Sequence, residues 1–259
     1  MTADELVHLS ADAGVATVTL DSPPNRNALS RRLVAELHAA LTEACDDQQV
    51  RVLVLTGTGP VFCSGADLKE QRAGGGPGLV GLPDVLTLLM DGPKPSVARV
   101  NGPARAGGLG LLAACDLTVA PTTATFGFSE VRLGVVPAVI SVPCLRRVEP
   151  RAAREYFLTG ETFDGVRAEQ IGLLNRAVPA DELDDAIEAY VGMLVRGGPE
   201  ALALTKELLR TVPELSVEEG LRRMGELSAA RFASAEGQEG IAAFQEKRDP
   251  VWMPPARRG

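Results

Sequence analysis

Apolar residues along this chain come in two rhythms. Val15 to Leu20, Val50 to Thr56, Ser96 to Val100 and Leu117 to Ala120 are short runs rich in Val, Leu, Thr and Ala, ended by turn-forming residues such as Asp21-Ser22-Pro23-Pro24 and Gly57-Thr58-Gly59-Pro60. These read as strands. The run from Val50 to Thr56 is apolar at nearly every position, as a strand covered on both faces should be. Between the runs the period lengthens. Ser30 is placed to cap a helix with Leu33, Leu37, Ala40, Leu41 and Ala44 on one face. Further helices are predicted over Leu82 to Met90, Gly107 to Ala114, Arg151 to Leu158 and Val166 to Ile171, and a last strand over Asn175 to Val178.

Beyond Asp181 only the helical rhythm continues. Leu183, Ile187, Tyr190, Val191 and Leu194 share a face, Pro199 opens a second helix, Ser216 and Glu219 form a capping-box pattern before a third, and Glu239 to Lys247 forms a fourth. The pattern predicts an α/β core over residues 1–180 and a helical C-terminal region over 181–259. That region has little sheet to cover, so its apolar faces are expected to pack on another subunit.

The 259 residues carry a formal net charge of -8, which argues against a nucleic-acid footprint. The most apolar run, Leu109 to Ala120, is short and interrupted by Asp116, so no membrane span is expected. The N-terminus is polar and acidic and does not read as a secretory leader. Cys45, Cys63, Cys115 and Cys144 lie far apart without a CxxC, which suits free thiols in a reducing cytoplasm rather than metal ligands. The cluster from Gly74 to Gly78 reads as a mobile surface loop.

Gly57-Thr58-Gly59 follows an apolar strand, but Phe62 stands where a dinucleotide-binding loop needs its third glycine, and no GK[ST] sequence marks a P-loop. His8 and His38 are the two histidines, neither in a glycine-rich loop, so Ser64 and Ser129 lack a partner base. Two other places carry more. Asp67 stands at a helix start, where its side chain can satisfy free backbone N–H groups. Gly65-Ala66 before it, and Gly107-Gly108 at the head of an apolar helix, let a ligand approach the peptide N–H groups closely, as an oxyanion hole requires. Glu130 is the one acidic residue between Asp116 and Glu149. Its neighbours Phe126, Phe128, Val131 and Leu133 predict partial burial and a raised pKa, the alternative being an ion pair with Arg132 or another arginine.

Taken in order, NRNALS (25–30), VLVLTGTGPVFCSGADLKE (52–70), KPSVARVNGPARAGGLGLLAACDL (94–117), TFGFSEVRLGVVPA (125–138), YFLTGETFDGVRAEQIGLLNRAVP (156–179) and FQEKRDP (244–250) resemble the enoyl-CoA hydratase/isomerase (crotonase) superfamily over almost the whole chain. The resemblance implies a spiral of ββα units with a helical trimerisation region, assembled as a homotrimer or hexamer. It places the oxyanion donors at the N–H groups of Ala66 and Gly107 and the catalytic acid/base at Glu130. Arg26, Ala66, Asp67, Leu68, Lys69, Gly107 and Lys247 fall at substrate-binding positions. The implied substrate is an acyl-CoA thioester, with coenzyme A as part of it and no separate cofactor or metal.

One position departs from the pattern. The family's hydratases carry a second glutamate, and that position here is Gly110. GGLGLLAACD (107–116) with SEVRLGVVPAVIS (129–141) resembles a bacterial branch with a single catalytic glutamate assigned as hydratases, some acting on branched 3-methylglutaconyl-type thioesters, so the implied activity is enoyl-CoA hydration. Isomerisation of a Δ3-enoyl thioester by Glu130 alone, and a non-catalytic acyl-CoA-binding role, are the alternatives. An additional aspartate found in the dienoyl-CoA isomerase type would fall on Ala138, so that activity is not expected.

Overall fold

The structure, a computed structural model, describes residues 5–73 and 80–254; the loop expected from Gly74 to Gly78 lies outside the described residues. In chain order the elements are β1 (Val7–Asp12), β2 (Val15–Leu20), α1 (Arg31–Asp46), β3 (Val52–Gly57), α2 (Leu68–Arg72) and α3 (Leu82–Asp91). Then come β4 (Ser96–Arg99), β5 (Ala104–Arg105), α4 (Gly107–Ala114), β6 (Leu117–Pro121) and β7 (Thr125–Gly127). A 3-10 turn over Ser129–Leu133 leads to α5 (Ala138–Cys144), α6 (Pro150–Thr159), β8 (Phe163–Asp164), α7 (Gly165–Gln170) and β9 (Arg176–Val178). The chain ends in α8 (Leu183–Leu194), α9 (Pro199–Thr211), α10 (Val217–Ala233) and α11 (Ala235–Glu246).

The strands form two sheets. A six-stranded sheet runs β1-β2-β3-β4-β6-β9, antiparallel only between β1 and β2. A three-stranded sheet runs β5-β7-β8. The parallel strands are mostly apolar because both faces of the large sheet are covered. Ala16, Val18, Leu20, Leu53, Leu55, Ala98 and Ala120 face the main core, with α1, α3 and α4. Their alternates Val15, Val52, Val54, Val97 and Val119 face the other side, where Leu183, Ala186, Ile187 and Val191 of α8 close over them.

The capping serines work as read, but among the described residues the Glu219 carboxylate accepts from Arg222 and Arg223 and does not close the capping box on Ser216. The Ser30 hydroxyl accepts the Leu33 N–H at 3.2 Å to start α1, and Ser216 accepts the Glu219 N–H at 3.2 Å to start α10. Such caps contribute about 1 kcal/mol each. The C-terminal expectation needs correction at α8, which does have sheet to cover and fills the second core. The apolar side chains left uncovered belong to the later helices: Leu209, Val217, Leu221, Phe232 and Phe244 are 65–86% exposed. Among the described residues no helix is long and apolar enough to cross a membrane. Cys63, Cys115 and Cys144 are buried free thiols, and Cys45 is half-buried.

Candidate active site

Three loops meet at the edge of the main core. The Leu29 N–H donates to the Gly65 carbonyl at 2.8 Å, Ser64 N–H to the Arg26 carbonyl at 3.1 Å, and Arg105 N–H to the Cys63 carbonyl at 3.0 Å. Bridges pair Leu29 with Ala66 and Cys63 with Ala104. Residues 26–29, 63–67 and 104–107 are thereby held side by side. Gly65 sits at φ +88°, and a β-carbon there would lie 2.8 Å from the Ala106 β-carbon and 3.3 Å from the Gly107 nitrogen. Ala106 itself is held at φ 48°, ψ -119°, a conformation costly for an L-residue and common where a fold fixes a functional geometry. Past it the chain turns into α4, whose eight residues are all buried. Among the described residues no backbone acceptor takes the N–H of Ala66 or of Gly107. Both residues line one cavity of about 550 Å³.

Glu130 enters the same cavity from the 3-10 turn that follows β7. The turn is anchored from behind by Phe128, fully buried and stacked on Phe157 with ring centroids 4.0 Å apart, next to Phe163 and Tyr156. Glu130 Oε2 is buried and has no hydrogen-bond partner among the described residues. Burial raises its pKa above the usual carboxylate value, because the charged form loses hydration. The ion pair with Arg132 does not form: Arg132 reaches the Glu161 carboxylate at 2.6 Å and the Thr159 carbonyl at 3.1 Å instead. The flanking residues are also sorted differently from the expectation. Phe126 and Phe128 are buried, but Leu133 is 58% exposed, so the burial of Glu130 comes from the aromatic side of the turn.

The cavity wall also includes Leu29, Val34, Val80, Leu82 and the run from Val136 to Ile140, residues that the sequence did not mark as cavity wall. It holds a second carboxylate, Glu70, already engaged by the Arg31 N–H at 2.9 Å. Gly110 lies under this wall. A β-carbon on Gly110 would come within 2.6 Å of Ile140 Cγ2 and 3.1 Å of Ile140 Cβ. The position is therefore closed by a neighbour as well as empty of a carboxylate. Only the pairing of a helix glycine with a bulky residue thirty positions later could have signalled this.

The remaining candidates lie around the cavity. Asp67 turns inward: its carboxylate accepts the Asn25 amide at 2.7 Å and the N–H groups of Lys69 and Glu70 at 2.9 and 3.3 Å. These bonds, the Asn25 one first, hold its pKa below the usual value. Leu68 and Lys69, on the first turn of α2, are exposed beside Ala66. Arg26 is exposed on the adjoining loop at φ 53°. Lys247, at φ 54°, ends α11 and is exposed; it is outside the cavity lining, as are Arg26, Asp67, Leu68 and Lys69. Among the described residues no group of three His, Cys, Asp or Glu is placed to hold a metal ion.

Comparison with known proteins gives this site a context. A family model described as enoyl-CoA hydratase/isomerase matches residues 10–255. A Thermus thermophilus protein assigned as an enoyl-CoA hydratase is 38% identical, covering 91% of this chain and 96% of that protein. Carnitinyl-CoA dehydratase of Escherichia coli K12 is 36% identical, covering 96% of this chain and 98% of its own. The crystal structure of an enoyl-CoA hydratase from Mycobacterium smegmatis superposes with a TM-score of 0.87 at 36% identity, covering 95% of this chain and 98% of that one.

Proposed function

The chain belongs to the enoyl-CoA hydratase/isomerase family, and from that membership we propose that it hydrates an α,β-unsaturated acyl-CoA thioester, with coenzyme A as part of the substrate and not as a cofactor. One observation carries the reading: among the described residues, a buried carboxylate oxygen without a hydrogen-bond partner, Glu130 Oε2, shares a cavity with two N–H groups that no backbone acceptor takes. The Ala66 and Gly107 N–H groups would hold the thioester oxygen and draw charge from the double bond as an enolate forms; a single such donor contributes about 2.7–4 kcal/mol to the transition state. Glu130 as the carboxylate takes a proton from water as its oxygen bonds to C3, and the resulting carboxyl returns a proton to C2. The hydroxyl ends on C3, the hydrogen on C2, and Glu130 is restored. Its raised pKa suits both halves, since the acid form persists to higher pH.

Arg26, Lys69 and Lys247 are exposed cations and are proposed to meet the phosphates of the CoA moiety, with Leu68 beside its path and Asp67 acting through the loop it fixes. The uncovered apolar side chains of α9 to α11 support assembly as a homotrimer or hexamer, readable by sedimentation. Four free cysteines, three of them buried, support a reducing, cytoplasmic setting.

The test is turnover of crotonyl-CoA, longer 2-enoyl-CoAs and 3-methylglutaconyl-CoA, followed by loss of the conjugated thioester absorbance. Glu130→Gln should lower kcat by about 10³-fold; unchanged turnover would refute the assignment. A second reading, Δ3,Δ2-enoyl-CoA isomerisation, is favoured by Gly110 lying closed beneath Ile140. A 3-enoyl-CoA converted to its 2-enoyl isomer without further hydration would establish it.

A further inference from the structure

Ile140 is 3% exposed, yet it belongs to the wall of the catalytic cavity. Its side chain fills the space that any side chain on Gly110 would need, with contacts of 2.6 and 3.1 Å to the missing β-carbon. The residues around it on that wall, Val136, Pro137, Ala138 and Val139, offer no side-chain hydrogen-bonding group. The Gly110 N–H is committed to the Ala106 carbonyl at 3.4 Å. A bound water needs two to four polar partners and a share of roughly 30 Å³; among the described residues, the Ile140 side chain takes the space beside Gly110 and residues 136–139 add no polar side chain there.

We propose that Ile140 is a specificity-determining residue that sets the balance between water addition and proton return by keeping water off the Gly110 side of the bound acyl group. The inference rests on the reading in which Glu130 moves the proton. With a 3-enoyl thioester, Glu130 removes a proton from C2 to give a dienolate. Returning that proton to C4 shifts the double bond with no net gain or loss of atoms. Hydration of the resulting 2-enoyl thioester then needs one water, whose hydroxyl goes to C3 and whose proton goes to C2 through Glu130. The first reaction proceeds in a dry pocket and the second does not. A wall closed by Ile140 therefore favours isomerisation relative to what the same two oxyanion donors would give beside a wet wall.

The test follows 3-enoyl-CoA and 2-enoyl-CoA turnover by wild type, Ile140→Ser, Ile140→Leu and Val142→Ser. Ser at 140 supplies both space and a hydrogen-bonding group. Leu keeps the volume. Val142 lies on the same helix, 53% exposed and outside the cavity lining, so its variant reports on damage to α5 alone. The ratio of hydration rate to isomerisation rate should rise at least fivefold in Ile140→Ser and stay within twofold of wild type in the other two. Packing is read separately by melting. Gly110→Ala should lower Tm, and Gly110→Ala combined with Ile140→Ala should recover part of that loss. An unmoved ratio in an active Ile140→Ser enzyme, or a Gly110→Ala protein as stable as wild type, would overturn the proposal. Absence of any turnover by the wild type would overturn the parent reading, and this one with it, whatever the melting data show.

Discussion

At Glu130 the fold works against its own charge. The folded pKa is raised, so folded protein holds the proton more tightly than the unfolded chain, whose carboxyl titrates near 4.5. Stability from this group is fully present below that pH and is lost as pH rises through the folded value. Asp21, Asp67 and Asp184 run the other way, but their lowered pKa values act below 3.8, so the two windows separate. Glu130→Gln cannot ionise. Its Tm relative to wild type should therefore climb as pH rises above 4.5 and then level off, and a difference that is flat with pH would show that Glu130 is not desolvated. A second residue, Gly65, shapes the backbone that carries the proposed donors. An alanine there would be strained at φ +88° and would press on Ala106 and the Gly107 nitrogen. Gly65→Ala should lower kcat by about 10²-fold or more, in the range of losing one oxyanion donor, as steady-state kinetics on an enoyl-CoA would show.

Elements bring these residues together, and the brace is Asn27. Fully buried, it accepts the Ser22 N–H at 2.8 Å and donates to the carbonyls of Thr58, Val61 and Phe62 at 3.1, 2.8 and 3.2 Å. It thus ties the approach to α1 to the loop that follows β3 and delivers Ala66. Asn27→Ala leaves several buried groups unsatisfied, each costing about 1–3 kcal/mol. Urea unfolding should show a loss of about 3 kcal/mol, with kcat falling because Ala66 moves. The loops so braced were legible in the sequence only in part. Helices such as α1 and α10 announced themselves by apolar period and by Ser30 and Ser216, and the buried strands by unbroken Val-Leu runs. The second sheet did not, because β5 and β8 have two residues each and β7 three, too short for any period to be read. The same limit hid Ile140: α5 is only seven residues long and contains Pro143, and its meaning arises from packing on Gly110, a contact that local pattern does not carry. That Gly107, Ala66 and Glu130 come together at one cavity was legible because backbone access and an isolated carboxylate are written in residue type.

Across the whole molecule, the helices past residue 198 must be held to the core with little burial of their own, since α9 has no buried residue. The attachment runs through Lys206. Its ammonium reaches the Asp116 carboxylate at 2.8 Å and the carbonyls of Leu89 and Lys94 at 3.1 and 2.8 Å, and the side chain is only 9% exposed. Asp116 in turn accepts the Ser96 N–H and hydroxyl at 2.8 and 3.0 Å. One cation therefore joins α9 to the end of α3, the start of β4 and the end of α4. Nearby, Arg210 pairs with Asp91 at 3.0 Å, but both side chains are more than 40% exposed. Solvent screens that pair, and exposed pairs contribute about 0–1 kcal/mol. Breaking a buried pair costs about 3–5 kcal/mol because the remaining charge has lost its partner. Asp116 is 28% exposed and can recover some hydration, which places Lys206→Met near the lower end, about 3 kcal/mol. Hydrogen exchange distinguishes where the loss falls. If Lys206 is the clip, amides of α9 should lose protection in Lys206→Met while β3 and β4 keep theirs relative to global unfolding, and Arg210→Ala should leave both patterns near wild type. Equal losses in the two variants would mean that α9 is held by surface charge, contrary to the burial of Lys206.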